Sequence, residues 1–300
     1  ILIKYLIIFK IIIILFNYII HLPNKIFFPI QNKNEEIHKI FKKLGFIHNI
    51  EVPENKKFAV ETYEKLKELN FDEIINTQIK KNPRAYTTDI IQYLDEETQK
   101  KLILFFNNDQ EIDKVSSMLG YKVKFRKLSI FMNFQNDKTK IKEGPKMFHR
   151  DSDSLQDQVK IFMLINNIDE KNGMFYFVPK NLINENYKLP FESDLKNKSL
   201  ADKWRNHDET VFSLAKKNNF KNPVRKLSGS QGELLYIDTG KIYHKGGYIL
   251  EKGKLRFMFQ VVYTPTLSLS NWNNSNNFLL RYLQNKLKSL QIKLQKTINL

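Results

Sequence analysis

A histidine followed two residues later by a carboxylate puts both side chains on one face of an extended segment or tight turn, where both can bind one metal ion. The chain has six histidines (His21, His38, His48, His149, His207 and His244). Two of them open such a pair, His149-Arg150-Asp151 and His207-Asp208-Glu209. With 32 acidic residues in 300, chance alone supplies about 0.6 such pairs, so spacing does not choose between them. Context does. His207 lies among Lys203, Arg205 and Asn206 in a polar stretch with no strand to hold it. His149 and Asp151 fall between two β-like runs, the place for a strand-edge site, with Asp153 as the competing carboxylate. A third ligand should come from a late strand. His244 supplies it, after the run Gly232–Thr239 and just before Gly246-Gly247.

The chain contains no cysteine, which excludes disulfides, thiolate nucleophiles and cysteine-based metal sites. Any metal must therefore use histidine and carboxylate ligands. Two neutral imidazoles and one carboxylate on one face of an octahedral ion leave three positions open, the arrangement of non-haem Fe(II) oxygenases. No phosphate-binding glycine loop, serine nucleophile elbow or zinc-protease helix motif offers a rival chemistry.

Ligands drawn from distant segments need a rigid scaffold, and the hydrophobic periodicity describes one. Residues 34–120 read as a helical layer, with apolar residues at three- and four-residue intervals over Glu36–Phe46 and Lys57–Phe71 and plausible ends at Gly45 and Asn70. Helices are also expected over Glu96–Phe106 and over Asp109–Leu119, the latter with Asp109 as N-cap and Gly120 as C-cap. From residue 121 to 265 the period changes. Tyr121–Phe134, Gln158–Ile168, Met174–Val178, Glu233–Ile237 and Leu255–Tyr263 are rich in Ile, Val, Phe and Tyr and are separated by turn signals, so a β block of sandwich or jelly-roll type is expected.

Residues 181–223, around Trp204, interrupt this block as a polar insertion of the kind that shapes binding sites. One domain over residues 31–270 is the expectation, preceded by a hydrophobic segment at 1–30. It is followed over 271–300 by an Asn-rich linker and an amphipathic helix bearing Leu279, Leu283, Leu287, Leu290 and Leu294. Seventeen of the first twenty residues are apolar, broken by Lys4, Lys10 and Asn17. That pattern fits either a membrane anchor or a segment packed on the domain. A cytoplasmic location is expected, with membrane association through residues 1–20 as the open alternative.

Lys plus Arg is 49 against 32 for Asp plus Glu, a formal charge of +17. The lysines are scattered and mixed with acids, only seven of the basic residues are Arg, and no nucleic-acid-binding signature accompanies them. A small molecule, and not nucleic acid, is the expected partner. Oligomeric state has no sequence signal.

The segment Phe148–Pro179, FHRDSDSLQDQVKIFMLINNIDEKNGMFYFVP, resembles the His-x-Asp strand, the lysine-bearing strand and the Asp-x-x-x-Gly-Pro-Phe turn of phytanoyl-CoA dioxygenase-like proteins. GELLYIDTGKIYHKGG and LRFMFQVVY, within Gly232–Tyr263, are similar to their distal-histidine region. The likeness covers residues 121–265. It departs at Met174, which stands where the family turn carries proline.

The resemblance implies an α+β protein: a double-stranded β-helix (jelly-roll) core with a helical N-terminal layer and a C-terminal helix. It implies Fe(II) held by His149, Asp151 and His244, with 2-oxoglutarate as co-substrate and O2 as oxidant. The far carboxylate of the co-substrate then requires a cation. Arg256, twelve residues after His244 on a strand, is the expected one, and Lys254 is the competing one. Lys160 and Gln158 are placed either to contact co-substrate or to serve structure. Trp204, Tyr176 and Phe177 either line a substrate pocket or pack the core. Because Asp151 is present where related halogenating enzymes carry a small residue, the implied reaction is hydroxylation of a small or lipid-like metabolite, releasing succinate and CO2. A non-catalytic, cupin-like metal- or ligand-binding module is the alternative.

Overall fold

The computed structural model describes residues 22, 24–30, 34–49, 52–138, 146–149, 151, 158–182 and 224–266. Helices α1 (Glu35–Leu44), α2 (Pro53–Lys67), α3 (Phe71–Lys81), α4 (Glu96–Phe106) and α5 (Asp109–Leu119) precede the long strands. Side chains close the helix starts. Asn34, Asn70, Asp95 and Asn108 each accept a backbone N–H three residues on, and α2 opens on Pro53. Gly45 and Gly120, at φ 78° and 85°, end α1 and α5 in the left-handed conformation that only glycine adopts without steric cost.

Three expectations need correction. Asn70 does not end a helix over Lys57–Phe71; its side chain accepts from Glu73 N and starts α3, a separate helix. Phe46 does not close α1 but opens the strand β1 (Phe46–Asn49), immediately after the Gly45 turn. The N-cap of α5 is Asn108 and not Asp109, because the preceding Asn oxygen is the one that reaches Glu111 N.

The remaining strands are β2 (Thr87–Asp89), β3 (Val123–Phe134), β4 (Val159–Leu164), β5 (Phe175–Val178), β6 (Arg225–Leu227), β7 (Leu234–Ile237), β8 (Tyr243–Gly246) and β9 (Leu255–Pro265). They form a six-stranded sheet, in the order β1-β7-β4-β9-β3-β2, and a three-stranded sheet, β6-β5-β8. Every pairing within these sheets is antiparallel.

Alternation sorts the large sheet into two faces. Val159, Ile161 and Met163 of β4, Leu234 and Tyr236 of β7, and Phe257, Phe259 and Val261 of β9 pack with the helical layer. Phe58 of α2 stacks on Phe105 at 3.6 Å, and Phe106 meets Phe259 edge-on at 5.4 Å, which anchors that layer to β9. Phe162, Leu164, Leu235, Ile237 and Met258 point the other way and meet Phe175, Phe177 and Leu227 of the small sheet. Two antiparallel sheets closed face to face over this second core, with helices on the outer face of the larger one, constitute the expected α+β jelly roll.

Residues 1–20, residues 183–223 with Trp204 and His207, the Asn-rich linker and the C-terminal helix lie outside the described residues, as does Asp153. Among the described residues no helix is long and apolar enough to cross a membrane.

Candidate metal centre

His149 and His244 are brought together by backbone pairing. Each N–H donates to the other's carbonyl, at 3.0 and 2.9 Å, an isolated antiparallel bridge that appends the near-ligand segment to β8. Directly opposed residues in such a bridge present their side chains on one face, and the two imidazoles lie with ring centroids 4.4 Å apart. Asp151 N donates to the Thr239 carbonyl at 3.0 Å, fixing the carboxylate two residues further along. One ligand atom from each of His149, Asp151 and His244 lies within 4.8 Å of the others.

The protonation pattern suits a cation. His149 Nδ1 faces the Met147 carbonyl at 2.8 Å and His244 Nδ1 faces the Ile242 carbonyl at 3.1 Å. A carbonyl oxygen can only accept, so each Nδ1 donates its hydrogen there and Nε2 is the nitrogen left to face a metal. These Nε2 atoms lie 3.9 and 3.7 Å from Asp151 Oδ1. Burial pushes the His244 imidazole down to about 3, partly offset by Asp151, so it is neutral at physiological pH. Burial by itself would raise the Asp151 carboxyl. Interaction with His244 and Lys160, with hydrogen bonds from Lys160 and Thr239, outweighs it and holds the group well below the ordinary carboxylate range. Two imidazole Nε2 atoms, that of His244 on a ring kept neutral by burial, and one ionised carboxylate are a donor set that fits a first-row divalent metal.

Lys160, on the inner face of β4 with Phe162 and Leu164, places Nζ 2.6 Å from Asp151 Oδ2. Its ammonium engages the carboxylate itself, leaving Oδ1 toward the imidazoles. Gln158 is buried and donates to Thr239 Oγ1 at 3.2 Å. Thr239 thus touches Asp151 through backbone and side chain, a positioning role that sequence reading missed. It lies five residues before His244, at the end of the β7 run, and that placement is the one signal pointing to it.

Arg256 is buried on β9 and shares the inner face with Met258 and Gln260. Its Nε donates to Asn133 Oδ1 at 3.2 Å, across the β3–β9 register, and its Nη1 donates to the Gly173 carbonyl. Burial lowers its pKa to about 10, opposed by Tyr86 and Tyr176, so it remains a cation at neutral pH. Among the described residues no carboxylate forms a salt bridge with it. The competing Lys254 is exposed in the preceding hairpin, 4.0 Å from Glu251.

The turn that holds Gly173 explains the Asp-x-x-x-Gly spacing. Asp169 Oδ1 accepts from Lys171 N at 2.8 Å and from Asn172 N at 3.1 Å. Gly173 then takes φ 82°, where an added Cβ would lie 2.7 Å from the Tyr248 carbonyl oxygen. Met174, in place of proline, is buried in the core between the sheets. Phe177 packs in that core and Phe175 stacks near His244 at 5.6 Å between centroids, while Tyr176 is partly buried.

No known protein-family model matches the chain, and no curated protein matches it. Solved structures do. HygX from Streptomyces hygroscopicus, with nickel and 2-oxoglutarate bound, is 16% identical over 78% of this chain and 88% of its own, with a TM-score of 0.48. The non-heme alpha-ketoglutarate-dependent carbocyclase SnoK, from nogalamycin biosynthesis, is 13% identical over 79% and 86% of the two chains, with a TM-score of 0.48. EctD from S. alaskensis with bound Fe is 14% identical over 80% and 78%, with a TM-score of 0.44. At these identities and TM-scores the likenesses assign no chemistry to this chain.

Proposed function

We propose that this chain is a non-haem Fe(II)- and 2-oxoglutarate-dependent oxygenase of the phytanoyl-CoA dioxygenase-like group, hydroxylating a small or lipid-like metabolite with release of succinate and CO2. The observation that carries the reading is the matched pairing of His149 and His244, each Nδ1 against a backbone carbonyl and each Nε2 within 3.9 Å of one oxygen of Asp151. An accidental surface cluster has no reason to fix both imidazoles this way.

In this reading His149 and His244 bind the metal through Nε2, and Asp151 binds it through Oδ1. Lys160 holds Oδ2, so the carboxylate presents one oxygen and the remaining metal positions stay available. Arg256 receives the far carboxylate of 2-oxoglutarate, a planar bidentate match for the remaining guanidinium donors. Its hydrogen bonds to Asn133 and Gly173 keep the fork aimed before the co-substrate arrives. When bound, the iron would supply activation of O2 coupled to oxidative decarboxylation of the co-substrate. The chain's own contribution is ligand geometry, a fixed anion site and an apolar enclosure of Phe162, Phe175 and Phe177 that keeps water from the reacting centre.

The test is ordered binding under anaerobic conditions. Fe(II) should bind wild type and fail to bind Asp151→Ala, and 2-oxoglutarate should bind wild type much more tightly with metal present than without. Equal Fe(II) affinity of wild type and Asp151→Ala would refute the reading.

A further inference from the structure

A straight row of residues crosses the small sheet. His149 is bridged to His244, His244 is the register partner of Phe177, and Phe177 is the register partner of Arg225. Directly opposed residues share a face, and Leu227, two residues beyond Arg225, is buried in the core between the sheets. Arg225 therefore starts on the same inner side as His244, two strand spacings away, about 10 Å. A second row runs across the large sheet opposite. Lys160, which holds Asp151, is the register partner of Ile237, and Ile237 is the partner of Phe46. Phe46 and Phe177 meet edge-on at 4.8 Å and tie the two rows together.

Beyond that contact lies a cavity of about 410 Å³ lined by Phe46, His48, Phe177, Val224, Arg225 and Lys226. Its size lies within the range of about 300 to 1,000 Å³ usual for small-molecule pockets. Phe46 and Phe177, which carry the two rows, supply its apolar lining, and the exposed Arg225 and Lys226 supply its cations. Lys226 is paired with Glu170 at 3.1 Å, whereas no carboxylate pairs with Arg225 among the described residues. Glu233, a carboxylate near the β1 wall that would repel an anion, is held by His48 at 2.7 Å.

We infer that this cavity binds the primary substrate, and that the substrate is an apolar carboxylic acid. Its carboxylate pairs with Arg225, and its hydrocarbon or aromatic body lies along Phe46 and Phe177 toward the metal centre. The bond that reacts then lies toward the His244 end of the row, whose backbone position is two strand spacings, about 10 Å, from that of Arg225. Arg225 is a specificity residue in this scheme and takes no part in the chemistry. The orientation, though not the binding itself, rests on the oxygenase reading.

Two probes with one body and opposite charge test it: 4-phenylbutanoate and 4-phenylbutylamine, titrated into the full chain by calorimetry without metal or 2-oxoglutarate. The carboxylate should bind at least tenfold more tightly than the amine. Arg225→Gln should weaken the carboxylate about two- to fivefold and leave the amine unchanged, as expected for one exposed charged contact. Lys252→Gln, a remote exposed lysine, should change neither. Equal binding of the two probes, or an Arg225→Gln effect below twofold, overturns the inference. Mn(II) added to the same sample then tests the orientation: phenyl protons of the bound carboxylate should broaden more than those beside the carboxyl group. Preserved discrimination without any Mn(II) effect would count against the metal site and leave the pocket standing. A reversed gradient would contradict the orientation.

Discussion

Lys160 Nζ sits 2.6 Å from Asp151 Oδ2, while Asp151 Oδ1 is the oxygen that faces the imidazoles of His149 and His244. One cation therefore divides the carboxylate into a structural oxygen and a ligand oxygen. Lys160→Met should weaken Fe(II) or Mn(II) binding by about 10- to 100-fold, the usual effect of losing a partner that orients a metal ligand. It should also move the acid limb. Lys160 lowers the Asp151 pKa, so without it the carboxyl protonates at higher pH and metal affinity begins to fail at higher pH than in wild type. Metal titrations over a pH series read both effects, and a pH profile unchanged from wild type would remove Lys160 from this role.

Arg256 separates co-substrate from metal. Arg256→Gln keeps a side chain able to donate to the Gly173 carbonyl and removes the buried charge. Binding of 2-oxoglutarate to the Mn(II)-loaded protein should fall by about 100-fold or more, in line with truncating a buried charged contact worth roughly 3 kcal/mol. Mn(II) affinity itself should stay within about twofold. A proportional loss of both would mean that Arg256 supports the fold and does not select the anion.

Two glycines with the same backbone conformation offer an internal control. Gly173 and Gly253 both have φ 82°, yet a Cβ on Gly173 would lie 2.7 Å from the Tyr248 carbonyl oxygen and one on Gly253 would meet nothing within 4 Å. Gly253→Ala should cost about 1 kcal/mol, from the left-handed conformation alone. Gly173→Ala should cost more, roughly 2 to 4 kcal/mol in urea unfolding, because the turn must also move away from Tyr248. That movement displaces the carbonyl under Arg256, so 2-oxoglutarate affinity should fall as well. Equal stability losses for the two variants would contradict this account of the turn.

His149, Asp151 and His244, whose ligand atoms lie within 4.8 Å of one another, were legible from context, because histidine is scarce and these residues fall at the edges of β-like runs. Gly120 was legible as a cap because a glycine directly follows the last apolar positions of the helix, Met118 and Leu119. Short elements were not. The four residues of β1 follow Gly45 without a break in the apolar pattern of α1, so Phe46 looked like the end of a helix. Asn70 carried a signal for either a stop or a start, and the apolar spacing of Phe71, Ile74, Ile75 and Ile79 was the missed tie-breaker. The position of Arg225 in line with Phe177 and His244 is a matter of register across three strands, the last of them three residues long. No local pattern encodes that.

Glu111 gives a pH signature remote from the metal. Burial raises its pKa above the ordinary 4.5, despite Lys114 and a hydrogen bond with Tyr236, and Oε1 has no hydrogen-bond partner among the described residues. A carboxyl that holds its proton more tightly in the folded state stabilises less as pH rises from its unfolded pKa through its folded one. Glu111→Gln should abolish that decline, so the stability of the variant relative to wild type should increase as pH rises above the ordinary 4.5. Urea midpoints across that range check the sign, and a difference that narrows with rising pH would be the contrary result.

The most direct measurement of the central claim is co-substrate turnover. Full-length protein with Fe(II), O2 and 2-oxoglutarate should release succinate and CO2 in equal amounts, faster when an apolar carboxylic acid that fits the Arg225 cavity is present. His149→Ala, Asp151→Ala and Arg256→Gln should each reduce that release to the rate of iron in buffer. Succinate formed at the same rate by wild type and by Asp151→Ala, or no 2-oxoglutarate consumed by iron-loaded wild type, would contradict the assignment.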